Sequence, residues 1–247
     1  MKGVILAGGR ATRLRPLTLV TNKHLLPIYN RPMIFFALES MKRAGITDVL
    51  LTTSADHCSH FMNLLKSGKD FGIKLSYAIQ EDPGGGIAQG IALAQDFAGE
   101  DKILALLGDN IFNHDLSDAV FAFEKQERGA WVFGKKMPTE SGQYGVIELD
   151  IKGKVISLEE KPDKPKSDIA QTGIYMYDKH VYNFIRELKP SARGELEVTH
   201  LNEKYLEQGT LTCEVMEGWW IDAGTSYDEL LRANNLVSEL VKSGELT

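Results

Sequence analysis

The chain carries only two cysteines in 247 residues, Cys58 and Cys213, far apart in sequence. That excludes a disulfide-stapled fold and fits reduced thiols in a cytoplasm. Neither has a metal-ligand partner at finger or ribbon spacing, and no His/Cys cluster competes for a soft metal. His57 and His60 read as surface residues of a helix. No apolar run approaches membrane-spanning length, and no basic stretch leads into a long apolar one. Positive charge is in deficit, 28 Lys and Arg against 34 Asp and Glu, a net charge of −6. A general nucleic-acid binder or a surface for anionic membranes is therefore excluded. Internal repeats, low-complexity tracts and long linkers are absent. Two familiar nucleotide-binding signatures are missing too. There is no G-x-x-x-x-G-K-[ST], and Ala11 and Leu14 do not complete G-x-G-x-x-G.

What the chain does have is 43% hydrophobic residues, enough for one substantial core. Its first half alternates short Val/Ile/Leu-rich runs with amphipathic segments. Strands are predicted at Val4–Ala7, Asp48–Thr53, Lys74–Ile79 and Lys102–Leu107, and helices at Met33–Ala44, Cys58–Leu65 and Ile87–Phe97. That alternation predicts an α/β fold on a parallel sheet covered on both faces. After about residue 128 the pattern shifts to strands joined by turns, at Trp131–Lys136, Gly145–Asp150, Val155–Glu159 and Gly173–Asp178. Helices follow at His180–Leu188 and Val198–Gln208, then a strand at Leu211–Met216 and a last helix from Ser226 to about Leu240. The two halves are expected to share one continuous sheet.

The segment VILAGGRATRLRP, Val4 to Pro16, delivers an apolar run to Gly8 and Gly9. Without Cβ atoms there, main-chain N–H groups can close on a ligand. Arg10, Arg13, Arg15 and Lys23 add positive charge, and guanidinium forks match phosphate oxygens. The segment reads as a polyphosphate cradle in an otherwise acidic chain. Its plainer alternative is a tight βα turn beside a solvated arginine face. Ligands of parallel sheets sit beyond the carboxyl ends of the strands. The Gly8–Arg15 turn, Gln80 and Asp109 each fall just past such an end, so three strand ends converge on one crevice.

LLGDN and WWIDAGT place Asp109 and Asp222 after apolar runs. Two such carboxylates suit a Mg²⁺ ion that keeps several waters and bridges substrate phosphates. Either one alone is also an ordinary cap or turn residue, and Asp222 could cap the final helix. In SLEEKP, Glu160 and Lys161 stand at a strand end, placed for a hydroxyl and an anion. Arg193, in PSARGELEVTH, precedes a glycine and a helix start; its alternative is a basic loop facing solvent. Gly173, in TGIY, is a glycine inside a strand, which marks close approach of a ligand or another backbone. Tyr144, Gly145 and Trp220 offer flat surfaces and hydrogen bonds to a sugar, although an aromatic at such a place is more often core or rim than ligand contact.

In the order LAGGRATRLRP, NKHLLP, the Gln80 to Gln89 loop, LLGDN, Tyr144–Gly145, SLEEKP, TGIY, PSARGELEVT and WWIDAGT, the chain resembles the sugar-1-phosphate nucleotidyltransferases. The likeness spans essentially its whole length, and within that group it is most similar to the glucose-1-phosphate thymidylyltransferases. The resemblance implies a Rossmann-like three-layer α/β/α fold with a mixed, mostly parallel central sheet. It implies one domain over residues 1–247, with a nucleotide-binding half to about 128 and a sugar-binding half from about 129. The implied reaction is Mg²⁺-dependent transfer of a thymidylyl group from dTTP to α-D-glucose 1-phosphate. It gives dTDP-glucose and pyrophosphate, a first step toward dTDP-deoxysugars such as dTDP-L-rhamnose, in a cytoplasmic homotetramer.

Carried over by position, Gly8 and Gly9 approach the nucleotide, and Arg13 and Lys23 hold its polyphosphate. Gln80 and Gly86 read the base, while Asp109 and Asp222 hold the metal. Lys161 and Arg193 grip the sugar phosphate, and Tyr144, Gly145, Glu160, Gly173 and Trp220 line the sugar pocket. Arg13, Lys23 and Lys161 are the implied catalytic cations. The same chemistry with UTP, CTP or another sugar phosphate is an alternative, as is a silent nucleotide-sugar sensor. Retention of Arg13, Lys23, Asp109, Lys161 and Asp222 speaks against the sensor.

Three departures stand out. Ala11 replaces a usual glycine, which predicts a negative φ at that residue. The stretch Asp82–Gly86 is one residue longer than usual, with Gly86 rather than Gly85 taken to meet the base. His200 stands where the family has Asp. Longer members carry a helical C-terminal extension associated with a regulatory nucleotide site. This chain ends soon after the Tyr227–Leu240 helix, so feedback through such a site is not expected.

Overall fold

The computed structural model describes residues 1–137 and 143–246. The strands are β1 (Lys2–Ala7), β2 (Pro27–Ile28), β3 (Arg31–Pro32), β4 (Asp48–Ser54), β5 (Lys74–Gln80), β6 (Ile103–Leu107) and β7 (Asn110–Phe112), followed by β8 (Ala130–Lys136), β9 (Gly145–Leu149), β10 (Val155–Glu160), β11 (Ile169–Tyr177), β12 (Leu211–Val215) and β13 (Trp220–Asp222). The helices are α1 (Ile34–Arg43), α2 (Ala55–Leu65), α3 (Ile87–Ala92), α4 (Gln95–Ala98), α5 (Ser117–Lys125), α6 (Val181–Glu187), α7 (Val198–Glu207) and α8 (Tyr227–Ser243).

Nine strands form one sheet in the order β10-β9-β11-β6-β1-β4-β5, with β8 on β11 and β12 outside β8. Strands from both halves of the sequence therefore belong to the same sheet. All of its strands except β10 and β11 run in one direction. This is the mixed, mostly parallel sheet expected. Its two faces follow from the period of two along each strand. Ile5, Val49, Leu51, Leu104 and Leu106 bury against α1, α2 and α5. Val4, Leu6, Leu50, Ile103 and Ala105 bury against α3, α4, α6 and α7. A three-layer α/β/α architecture results.

Three elements depart from the sequence reading. The single helix expected over Ile87–Phe97 is two, because Ala94 N bonds Ile91 O in a three-residue turn. The buried residues Ala88, Ile91 and Ala94 are spaced by threes, too tight for 3.6 residues per turn. Helix α5 was not anticipated at all. Its apolar face is Leu116, Ala119, Val120 and Phe123, and Asp115 Oδ1 accepts from Ser117 N at 2.8 Å to start it. The third is a separate two-stranded sheet in which β13 pairs antiparallel with β7, Asp222 opposite Asn110. Helix α8 packs over it through Ala233 and Val237, on Ile111, Ile221 and Ala223.

Candidate active site

The carboxyl ends of β1, β5 and β6 open into one crevice of about 710 Å³, whose wall includes every residue to which the family resemblance gave a role. Arg10 also lines it, whereas Arg15 does not.

The small β7–β13 sheet builds the floor. Ala223 N donates to Asp109 O at 3.0 Å, closing the ladder where the two aspartates stand. Residues 113 positions apart thus become neighbours, Asp109 buried and Asp222 partly so. Lys23 Nζ donates to Asp109 Oδ2. Burial pulls Lys23 down, but the charges of Asp109 and Asp222 and the bond to Asp109 outweigh it and hold the ammonium above its ordinary range. Burial likewise opposes ionisation of Asp109, yet the Lys23 charge and hydrogen bond win and hold it below the carboxylate range. Asp222 accepts from Gly224 N at 3.3 Å but makes no ion pair with Lys23, whose charge acts on it only weakly. Burial and the Asp109 charge push it up to about 7.

One ammonium facing two carboxylates, one buried and one partly so, leaves a deficit of positive charge. Hard oxygen donors short of a cation fit a divalent ion that keeps most of its ligands as water or phosphate. Among the described residues no group of three or more His, Cys, Asp or Glu could cage a metal by itself, so the remaining ligands would have to come from elsewhere. Asp222 does not cap α8. Ser226 does, its Oγ accepting from Glu229 N at 3.1 Å. A side chain at Gly224 would collide with Asp109 Oδ2 and Lys23 Nζ, so the glycine there keeps the floor open.

Lys23 is aimed by its neighbour. Asn22 Nδ2 donates to Ala7 O at 3.0 Å, while its Oδ1 accepts from His24 N at 3.0 Å and from His24 Nδ1 at 2.6 Å. The residue entering the glycine turn is thereby tied to the turn bearing Lys23. Burial, then the Lys23 charge, lower His24 to about 3. It is a neutral imidazole whose single proton sits on Nδ1.

At the nucleotide end, Gly9 has open space around it, whereas a Cβ on Gly8 would strike Gln80 Oε1. Gly8 therefore seats Gln80 as well as opening the turn. Gln80 Nε2 donates to Gln89 Oε1 at 3.0 Å. Gly86, at φ 90, lines the crevice and Gly85 does not. A Cβ on Gly86 would lie 2.6 Å from Leu196 O, because the 82–86 loop is bonded to the loop before α7 through Leu196 N and Gly85 O at 3.0 Å. Ala11 has φ 48, a left-handed conformation. The negative φ expected there is not found: the turn keeps its glycine shape, and the alanine adopts it at a cost in strain.

At the other end, Glu160 and Lys161 close β10. Lys161, at φ 44, donates its N–H to Tyr144 O at 3.2 Å, and its Nζ lies 3.6 Å from Glu160 Oε1. Arg193 is not a solvated loop residue. Its Nη2 donates to Glu160 Oε1 at 2.8 Å and to Glu197 Oε2 at 2.8 Å. Gly173 is required by its neighbour Leu107, 2.6 Å from where a Cβ would be, and its N–H donates to Asn110 Oδ1 at 2.9 Å. The same oxygen accepts from Trp220 Nε1 at 2.7 Å, and Tyr144 packs edge-on against the Trp220 ring.

The crevice is less basic than its cations suggest. Arg10 faces Asp82, Lys23 faces Asp109, and Lys161 and Arg193 share Glu160. Arg13 has no ion-pair partner among the described residues. Residues not foreseen are those that hold others: Asn22, Gln89, Asn110, Glu197 and Gly224. Gln171, a buried amide on the crevice wall, was missed as well. His200 does not line the crevice.

A crevice with glycine turns and an unpaired arginine at one end, two carboxylates on its floor, and a carboxylate shared by a lysine and an arginine at the other has the parts for phosphoryl-group chemistry between two ligands. The chain belongs to the nucleotidyl transferase family, whose model matches residues 2–239. A glucose-1-phosphate thymidylyltransferase of Mycolicibacterium smegmatis is 44% identical over 240 residues, 96% of this chain and 82% of its own. One from Neisseria meningitidis serogroup A is 43% identical over 228 residues, 91% and 78% of the two chains. A Bacillus anthracis chain assigned to the same activity and solved in complex with a sucrose is 47% identical. It matches with a TM-score of 0.90 over 96% of this chain and 94% of that one. Enzymes of this family generally use a divalent metal.

Proposed function

We propose that the protein transfers a thymidylyl group from dTTP to α-D-glucose 1-phosphate, releasing pyrophosphate. The observation that supports this most is identity above 40% to thymidylyltransferases over nearly the whole chain, together with one crevice lined by the residues to which the resemblance gives a role. The sugar-phosphate oxygen attacks the α-phosphorus and the bond to the β-phosphate oxygen breaks. The nucleophile is already an anion, so no strong base is required, and positioning and charge neutralisation carry the rate. Gly8 and Gly9 lie against the nucleotide. Arg13 and Lys23 meet its phosphates, and Gln80 and Gly86 meet the base. Lys161 and Arg193 take the sugar phosphate, with Tyr144, Gly145, Glu160, Gly173 and Trp220 around the sugar. Asp109 and Asp222 would hold Mg²⁺, which would draw charge off the phosphates.

No helix among the described residues is long and apolar enough to cross a membrane, and Cys58 and Cys213 are free thiols. Both fit a cytoplasmic enzyme, which we take to work as a homotetramer. The test is pyrophosphate release with glucose 1-phosphate, Mg²⁺ and each nucleoside triphosphate in turn. Fastest release is expected with dTTP. Equal rates with UTP would overturn the donor, since Gln80 can pair with either pyrimidine, and silence with every donor would overturn the reaction.

A further inference from the structure

We propose that Glu160 and Arg193 occupy each other in the ligand-free protein, and that a ligand must carry both a hydroxyl and a phosphate to part them without loss. This rests on the sugar-phosphate reading of that end of the crevice.

The anchor is Glu197. It is only 6% exposed, and its Oε1 accepts from Ser191 Oγ at 2.6 Å and from Arg193 Nε at 3.2 Å. Its Oε2 accepts from Arg193 Nη2 at 2.8 Å. A buried carboxylate so engaged stays where it is, since leaving its partners would strand a charge. Glu197 is thus a positioning residue that presents the remaining donors of Arg193 to the crevice. One of those donors is taken by Glu160 Oε1 at 2.8 Å, while Thr199 Oγ1 holds Glu160 Oε2.

The acceptor wanted for a sugar hydroxyl is therefore occupied by the cation wanted for the phosphate. A bare anion reaching Nη2 of Arg193 has to displace Glu160, and one taken by Nη1, which none of these bonds uses, meets the Glu160 charge held on the adjoining Nη2. A neutral sugar has to displace Arg193 to reach Glu160 and leaves the guanidinium with one partner fewer. A sugar phosphate replaces each partner with a better one, phosphate on Arg193 and hydroxyl on Glu160. No polar group ends unpaired. The pair thereby selects against inorganic phosphate and free sugar at the acceptor end.

Calorimetric titration of the full chain with methyl phosphate and with glucose 1-phosphate tests this. It is run with and without a saturating, non-reactive α,β-imido analogue of dTTP. Glu160→Gln should bind methyl phosphate at least threefold more tightly than the unmodified chain and glucose 1-phosphate at least threefold more weakly. Adding Arg193→Gln should erase the first gain. Glu195→Gln removes a carboxylate from the same wall without a bond to Arg193, and should leave both affinities within about twofold. Glu160→Ala serves in place of the amide variant if that one does not fold. Weaker binding of both ligands in Glu160→Gln, or an equal gain in Glu195→Gln, overturns the proposal. No nucleotide turnover is read, so a failed donor assay and a lost contrast between the two ligands are distinguishable outcomes.

Discussion

Lys23 and Asp109 form an ion pair on the crevice floor in which the carboxylate is buried and the ammonium partly so, and Asp222 acts on Lys23 through its charge. Removing the ammonium leaves the buried Asp109 carboxylate with only the partly buried Asp222 beside it. Breaking one side of a buried pair typically costs about 3–5 kcal/mol. Lys23→Met should therefore lose stability of that order in urea unfolding at pH 8. Part of the loss should return on acidification, as a carboxylate takes up a proton. Millimolar Mg²⁺ should also stabilise this variant more than the unmodified chain. A loss below about 1 kcal/mol would mean that the carboxylates do not depend on Lys23.

Asp222 titrates in the opposite sense to its partner. Burial first, and the Asp109 charge second, raise it from 3.8 to about 7. Between those values the folded protein holds a proton that the unfolded chain has released. Its contribution to stability is therefore full below 3.8 and lost as pH rises through about 7. A divalent ion needs the ionised form, so binding at pH 6 should release close to one proton and at pH 8 almost none. Mg²⁺ titrations in buffers of different ionisation heat read this directly. Equal release at both values would show that Asp222 is ionised throughout.

The layers of the fold were legible because Val/Ile/Leu runs alternating with amphipathic stretches admit few other arrangements. The floor of the site was not. Strands β7 and β13 have three residues each, too short to show a period, and their pairing across the chain is a tertiary fact. Helix α5 did carry a readable signal in Asp115, Leu116, Ala119, Val120 and Phe123. Site residues with distinctive chemistry, such as Gly9, Arg13 and Lys161, could be singled out by type and place. Asn22, Gln89 and Glu197 act on other side chains, and a polar residue that serves another one is anonymous until its partner is known.

Ala11 sits at φ 48 and ψ 38, where a Cβ costs about 1–2 kcal/mol. Ala11→Gly should relieve that strain, less the greater freedom glycine gains in the unfolded chain, for a net gain of about 1 kcal/mol. Ala11→Val should move the other way by more, because a β-branched residue tolerates this region worst. Denaturation midpoints of the two variants check the sign. A glycine variant less stable than the parent would show that the turn is not held left-handed in solution.

Asn22, at 2% exposure, gives one side-chain bond to Ala7 O and receives two from His24. Asn22→Ala strands a carbonyl at the end of β1 and two donors of His24, each worth about 1–3 kcal/mol when buried and unpaired. We expect at least 2 kcal/mol lost on unfolding by that count. Because the bonds tie Gly8 to Lys23, KM for the nucleotide should rise by about tenfold, while KM for the sugar phosphate stays within about twofold. Asn22→Asp keeps the acceptor but brings a buried negative charge beside a neutral imidazole. That charge is best met by a proton on His24, whose folded pKa would then rise. The Asp variant should accordingly be stabler at pH 5 than at pH 8 relative to the parent, and a flat difference between the two would rule out His24 as its partner.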